Sequence, residues 1–331
     1  MTAAALPASL RSAIAALLEG RSRAELQAAY DHMSSEYRTG SGSDVSIGDE
    51  RAAIAYVAAR LPATYAAALR AMSLAADCLP GFDARTHLDL GAGPGTMAFA
   101  VRAVWPRVSR SVLVEPNPHF DLLGRRLTAE LPGVSWLRTG IDWFLQEENA
   151  DSFGAFDCVT LGYVVGELPP GVSVDLVRRL ARLRSGLLVV VEPGTPQGFK
   201  HILGIRDAAQ AQGGRIVAPC PHAAPCPLRS TDWCHFPVRL PRSAAHKAIK
   251  HADAPFEDEP MAFLAVAFDA ALQIAPPSAR LLTSPRIEKG FADLTLCGAD
   301  GVRLEQRVPS RDKPRYKLAK HLAAGDMWPE A

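Results

Sequence analysis

Two groups of residues have the types and spacing to do chemistry. The first lies in the run His87 to Gly95, which carries Asp89, Gly91, Gly93 and Gly95 with Pro94 inside it. Glycine is needed where a chain turns sharply and lies close against a ligand, because a Cβ would clash. The spacing is D-x-G-x-G-x-G, not the G-x-G-x-x-G of dinucleotide folds. Farther on, the apolar run Ser111 to Glu115 ends in a carboxylate and is stopped by Pro116-Asn117-Pro118. A carboxylate about 20 residues beyond such a turn accepts hydrogen bonds from ribose hydroxyls. The plainer reading of Glu115 is a solvated strand end.

The second group is the cysteines. Cys220, Cys226 and Cys234 lie close together, and Cys297 ends a strand-like run from Phe291. Cys78 and Cys158 stand alone in apolar stretches and read as core residues. Clustered thiols in a reduced compartment suit a soft metal. The spacings are wider than the C-x₂₋₄-C pairs of structural zinc. Proline directly follows Cys220 and Cys226, as it does beside thiolates in iron–sulfur proteins. Iron–sulfur is the leading reading. Zinc, with His222 or His235 as further ligands, and no metal at all both stay open.

The elements that must position these residues follow from periodicity. Strands are expected at 86–90, 111–115, 134–138, 156–161, 186–192 and 214–218, with helices between them at 96–104, 117–131, 142–148, 172–184 and 197–212. Such alternation predicts a parallel sheet covered on both faces, with ligands at the carboxyl ends of the strands. Ahead of it, Leu10, Ile14, Leu17 and Leu18 repeat at helical spacing. The stretch Asp49 to Ala76 reads as helix interrupted at Leu61-Pro62, and Thr39 to Asp44 as a flexible break. The expected organisation is an α/β chain: an N-terminal helical region over 1–80, a nucleotide-binding-type domain over 81–275 with a cysteine-rich insertion at 219–262, and a basic, β-rich, barrel-like appendage over 276–331. That appendage ends in Arg303 to Lys320, with seven basic residues against two acidic ones. This is a plausible phosphate-contacting surface; a solvated β-rich face is the plainer alternative.

Composition narrows the class. The chain has 331 residues, 48% hydrophobic and 21% charged, with a formal net charge of +1. The whole protein is therefore not a polybasic nucleic-acid binder. No apolar run reaches the roughly 18 residues of a membrane helix, so no membrane partner is expected. The N-terminus lacks the regions of a secretory signal. The expectation is a cytoplasmic monomer.

The D-x-G-x-G-x-G run resembles the first motif of S-adenosylmethionine-dependent methyltransferases. Sheets of that kind usually end in an antiparallel hairpin, for which Gly214–Ala218 and Phe263–Phe268 are the candidates. They often place an acidic group near the adenine amine after the third strand. Asp142 suits that role, and suits a helix N-cap equally well. A wider match is more specific. Glu192-Pro-Gly-Thr-Pro-Gln-Gly-Phe199, Ala218-Pro-Cys-Pro-His222, Cys226-Pro227, Asp232-Trp-Cys-His-Phe236 and Arg60-Leu-Pro-Ala-Thr-Tyr65 resemble a methyltransferase-like family of the small ribosomal subunit. It has bacterial members and mitochondrial small-subunit assembly factors of the methyltransferase-like protein seventeen type. The likeness spans roughly residues 50 to 330.

The resemblance implies a Rossmann-like class I methyltransferase sheet that binds S-adenosylmethionine through Asp89, Gly91, Gly93, Gly95, Glu115 and Asp142. It implies a four-iron, four-sulfur (4Fe-4S) cluster on Cys220, Cys226, Cys234 and Cys297, and association with small-subunit ribosomal RNA. No catalytic residue is expected by name. The fourth-strand tip, Leu161-Gly162-Tyr163, is neither the N/D-P-P-Y/F turn of amino-methylating enzymes nor a proline–cysteine pair. Two functions follow: methyl transfer to RNA, or non-catalytic ribosome assembly that uses the fold and metal domain to bind RNA.

Overall fold

The computed structural model describes residues 5–38, 46–228 and 232–329. The Thr39–Asp44 break lies outside them. Ahead of the sheet, the described residues include the helices α1 (Ala8–Leu18), α2 (Arg23–Arg38), α3 (Glu50–Ala59) and α4 (Leu61–Ala76). The Asp49 side chain caps α3 by accepting from Ala52 N at 2.7 Å. Pro62 falls in the first turn of α4, where a missing N–H costs nothing. The chain therefore restarts as a new helix at 51° to the last. Ala63, Ala66, Ala67, Ala68, Ala71 and Ala75 of α4 are fully buried. Their small side chains let the helix lie close against the sheet.

That sheet is built from β1 (Thr86–Leu90), β2 (Arg110–Val114), β3 (Val134–Leu137), β4 (Cys158–Gly162), β5 (Leu187–Pro193), β6 (Arg215–Ala218), β7 (Phe236–Pro241) and β8 (Phe256–Ala267). Between them run α5 (Thr96–Val104), α6 (Pro118–Leu127), α7 (Ile141–Leu145), α8 (Glu147–Phe153), α9 (Val172–Arg182), α10 (Pro196–Ala211) and α11 (Ala244–Ile249). The strand order is β3-β2-β1-β4-β5-β8-β6, with β7 also on β8. Pairs among β1 to β5 are parallel, and every pair made by β8 is antiparallel. This is a Rossmann-like methyltransferase arrangement. Alternation on β5 sends Val189 and Val191 to the core shared with α4, and Leu188 and Val190 to the core shared with α9 and α10.

β8 begins seven residues before the strand expected at Phe263. Its first half pairs with β7 (Met261 opposite Phe236) and its second half with β6 (Ala265 opposite Ala218). The cysteine loop therefore leaves and rejoins the sheet four register positions apart on one strand. The C-terminal part is an open, antiparallel, five-stranded sheet of β9 (Ala279–Leu281), β10 (Arg286–Ile287), β11 (Phe291–Gly298), β12 (Arg303–Pro309) and β13 (Met327–Trp328). The helix α12 (Lys313–Ala319) packs on it. The barrel-like form expected there is replaced by this open sheet, whose small core is filled by the fully buried Trp328.

Candidate functional site

The carboxyl end of β1 runs into the glycine turn, which is pinned to the neighbouring strand. Gly91 N and Ala92 N both donate to Val114 O, at 2.9 and 3.0 Å. Gly91 and Gly93 have φ of +74° and +54°, the left-handed region that glycine alone enters freely. A Cβ on Gly91 would meet Val164 at 2.5 Å, whereas one on Gly93 would meet nothing within 4 Å and would project into open space. Gly95 ends the turn as the N-cap of α5. A Cβ there would press on Trp136 at 3.0 Å, so its place is close packing.

Glu115 follows β2 and closes on the same turn. Its Oε2 accepts from Gly93 N at 2.7 Å and its Oε1 from Asn117 N at 2.8 Å. The side chain is only 4% exposed. Burial pushes its carboxyl up to about 7, against the opposing pull of the two backbone donors. A cleft of about 330 Å³ opens beside it, lined by Gly91, Gly93, Glu115, Phe120, Asp142 and Tyr163 among others. Asp142 is exposed at this cleft, in the first turn of α7. The N-cap of that helix is Gly140, with no side-chain cap, so the capping alternative for Asp142 does not hold.

Asp89 does not line the cleft. It is fully buried within the sheet and accepts from Thr160 Oγ1 at 2.7 Å. The same hydroxyl lies 2.8 Å from His87 Nε2. Because Thr160 spends its proton on Asp89, it must accept from His87, which places the imidazole proton on Nε2. Burial pushes the Asp89 carboxyl up to about 7, and burial with nearby Arg102 holds His87 down to about 3. Asp89 supports the strand beneath the turn through Thr160.

Sequence reasoning missed Tyr56 at the cleft wall. It sits on α3 and meets the Phe120 ring edge-on, with centroids 5.0 Å apart. A lone tyrosine in an alanine-rich helix looks like core, so no signal marked it. Tyr163, at the β4 tip, adopts φ +59° with a buried hydroxyl that has no hydrogen-bond partner among the described residues. A non-glycine residue held there marks a backbone over-determined by its surroundings. Nearby, Arg60 pairs with Glu259 at 3.2 Å, which accounts for the arginine of the Arg60–Tyr65 run.

The four cysteines come together. Cys220, Cys226, Cys234 and Cys297 line one cavity with Arg206 and Arg280. Cys297 lies on β11, opposite Arg280 of β9 and Arg303 of β12. Among the described residues no three His, Cys, Asp or Glu side chains are grouped to hold a single metal ion. The loop is anchored from several sides. Arg206 donates to Ala224 O at 2.6 Å, Gln210 to Ala223 O at 2.8 Å and Trp233 Nε1 to Gly194 O at 2.9 Å. Asp232 pairs with Arg303, and Arg280 Nε donates to Pro219 O. Burial, then the neighbouring cysteines, push Cys297 up to about 12, and burial leads the rise at Cys234. The two arginines work against burial at Cys220. His222 Nδ1 faces Ala224 O at 3.0 Å, which puts the proton there and aims the Nε2 lone pair at Cys297 Sγ, 3.3 Å away. His235 instead stacks on Trp233. Cys78 and Cys158 are buried, as a core reading requires.

The basic tail is partly neutralised. Arg307 pairs with Asp293 at 2.7 Å, and Arg303 with Asp232 and Glu305. Arg311, Lys313, Lys317 and Lys320 are exposed.

The chain is 28% identical over 206 residues to the human "Ribosome assembly protein METTL17, mitochondrial", a match covering 56% of this chain and 43% of that protein. It is 26% identical over 293 residues to "Rsm22-cox11 tandem protein 2, mitochondrial" of Schizosaccharomyces pombe, covering 73% of this chain and 38% of that protein. The chain thus spans less than half the length of these relatives. Among solved structures it is similar to the N-methyltransferase NodS of Bradyrhizobium japonicum bound to S-adenosyl-L-homocysteine. That TM-score is 0.38 at 13% identity, over 60% of this chain and 85% of the other. A precorrin-6y C5,15-methyltransferase of Geobacter metallireducens gives 0.39 at 15%, over 60% and 87%. The expected cytoplasmic location is corrected by the relatives, whose names point to a mitochondrial setting. A family model described as "Mitochondrial small ribosomal subunit Rsm22" matches residues 50–329, and with the cleft and the thiol pocket both inside that span, the chain belongs to the Rsm22 family.

Proposed function

We propose that this chain binds S-adenosylmethionine in the cleft beside Gly91–Gly95 and acts on the small ribosomal subunit, with its ribosomal RNA as partner. The observation that carries the reading is the Glu115 carboxylate, held by Gly93 N and Asn117 N at the cleft. In this reading its two oxygens accept the ribose hydroxyls, Gly93 leaves room for the nucleoside, and Asp142 meets the base. The cofactor supplies an electrophilic methyl group. The protein's part is to hold acceptor and sulfonium in line and to exclude water. The human relative, named a ribosome assembly protein, supports the ribosomal setting.

A 4Fe-4S cluster on Cys220, Cys226, Cys234 and Cys297 belongs to the same proposal. The support is four thiols around a common cavity, with two buried guanidinium groups beside them. A cluster would tie the insertion to the C-terminal sheet, and its ligands would have to give up their protons on binding. Zinc is the alternative occupant.

A second reading, a non-catalytic assembly factor, is favoured by the β4 tip, where Leu161-Gly162-Tyr163 is neither the N/D-P-P-Y/F turn nor a proline–cysteine pair. Incubation with labelled S-adenosylmethionine and immature small subunits separates the two. A mapped methylated nucleotide supports the enzyme. Cofactor binding without methylation supports the assembly factor, and no cofactor binding refutes the cleft assignment. For the metal, anaerobically purified protein should be brown and carry about four irons. A colourless preparation with stoichiometric zinc would refute iron. Unchanged metal content in Cys297→Ser would refute that residue as a ligand.

A further inference from the structure

Arg206 and Arg280 are 3% and 1% exposed and line the same cavity as the four cysteines. Arg280 gives Nε–H to Pro219 O, Nη1 to Gly325 O at 2.7 Å and Nη2 to Cys78 Sγ at 3.4 Å. Arg206 gives Nη1 to Gln210 Oε1 at 2.9 Å and Nη2 to Ala224 O at 2.6 Å. None of these acceptors carries a full charge. The carboxylate nearest Arg206 is Asp207, 4.0 Å away on a side chain 78% exposed. No ion pair within 4.0 Å joins Arg280 to a carboxylate among the described residues. An unpaired buried cation is costly and rarely kept without a compensating charge. Among the described residues that line the cavity the two cations share are four thiols and His222, and no carboxylate.

We infer that Arg206 and Arg280 are the counter-cations of the four-thiol pocket. They balance its charge when Cys220, Cys226, Cys234 and Cys297 are all thiolates, and they thereby select a tetrathiolate metal assembly. The inference rests on the metal-binding reading above. The charge count agrees with it. Four thiolates around a divalent ion, or around an oxidised cubane core of charge two plus, leave two negative charges, which two guanidinium groups match. Three thiolates and a neutral His222 around zinc would leave one. The same cations favour the more negative form of a cluster. When an external mediator donates one electron to the core, the added charge is stabilised, so the midpoint potential rises. Hydrogen-bond donors and charge around thiolate ligands act in this direction generally.

The test uses the full chain, loaded anaerobically, with Arg280→Met, Arg280→Lys and Arg206→Met. Each Met variant should have a lower midpoint potential in a mediated titration followed by electron paramagnetic resonance. Each should lose metal to a chelator about 10-fold faster or more. Arg280→Lys keeps the charge without the guanidinium fork and should recover most of both. Unchanged S-adenosylmethionine binding and circular dichroism would show that the fold survives. A purely structural arginine would fail to be rescued by lysine and would leave the potential of the remaining cluster unmoved. Equal potentials and loss rates in wild type and Met variants would overturn the inference. Should the wild type hold no iron, the iron reading fails, and cobalt(II) titration of the metal-free protein tests the arginines instead. A four-thiolate charge-transfer band weakened in the Met variants supports them, and equal cobalt affinity, or no cobalt binding at all, overturns them.

Discussion

Trp233 donates its indole N–H to the carbonyl oxygen of Gly194 at 2.9 Å. Trp233 directly precedes Cys234, and Gly194 directly follows β5. Two residues before Gly194, the carboxylate of Glu192 accepts from Val165 N at 3.1 Å, beside the Val164 and Glu167 that line the cleft. The thiol pocket and the cleft therefore share a short, continuous framework. Trp233→Phe keeps the ring and removes the donor. It should lower stability by about 1 kcal/mol, read as a shift of the urea midpoint. An unshifted midpoint would show that water replaces the hydrogen bond without penalty.

Glu115→Ala should weaken S-adenosylmethionine binding by roughly 1–3 kcal/mol, the usual cost of losing a charged acceptor. Gly93→Val should weaken it by another route, because its side chain would enter space that is open within 4 Å, from a backbone φ of +54° that valine resists. Calorimetry on both variants and the wild type checks this. Wild-type protein with an empty site and no binding heat would sink it.

The raised carboxyl of Glu115 has a consequence for stability. Its value climbs from the ordinary 4.5 to about 7, chiefly by burial. A carboxyl raised on folding contributes stability in full below its unfolded value and loses it as pH rises through the folded one. The contribution of Glu115 should therefore decline between about pH 4.5 and 7. His87, held down to about 3 from 6.5 by burial and Arg102, acts in the opposite sense, losing its contribution as pH falls below 6.5. Comparison with Glu115→Gln cancels the histidine. The stability of wild type relative to that variant should be greater at about pH 5 than at about pH 8. A constant difference across that range in urea titrations would count against the burial argument.

If RNA lies against the C-terminal helix, the exposed cations Arg311, Lys313 and Lys317 should carry the interaction, because Arg303 and Arg307 are already paired. Reversing those three charges should weaken binding to small-subunit RNA. The salt slope should fall by about one unit for each phosphate left without its cation. Reversing Arg307 should do less. Filter binding at several salt concentrations decides it; an unchanged slope would clear the tail of this role.

Much of the sheet was legible because its rules are local. Val189 and its neighbours form an unbroken apolar run, and the glycine turn and Glu115 sit at a spacing that backbone geometry enforces. The start of β8 was not legible, because Glu257, Asp258, Glu259 and Pro260 do not look like strand. The carboxylates there are satisfied by partners outside the strand: Glu257 by Lys250, His246 and Arg242, Asp258 by Arg239 and Glu259 by Arg60. The burial of Asp89 was not legible for a related reason. A motif position says which strand a carboxylate ends, but only packing against Thr160 and His87 says which way it faces. Tyr56 required knowing that α3 reaches the cleft.

All eight strands of the large sheet lie within residues 86–267, and three of the four clustered cysteines lie between β6 and β7, while Cys297 waits on β11. A chain cut short after β8 would have the whole sheet and three thiols, with one corner of the pocket missing. Closure of the pocket thus depends on a part of the chain that the large sheet does not contain. It needs the chain through β11, which no pairing inside the large sheet needs.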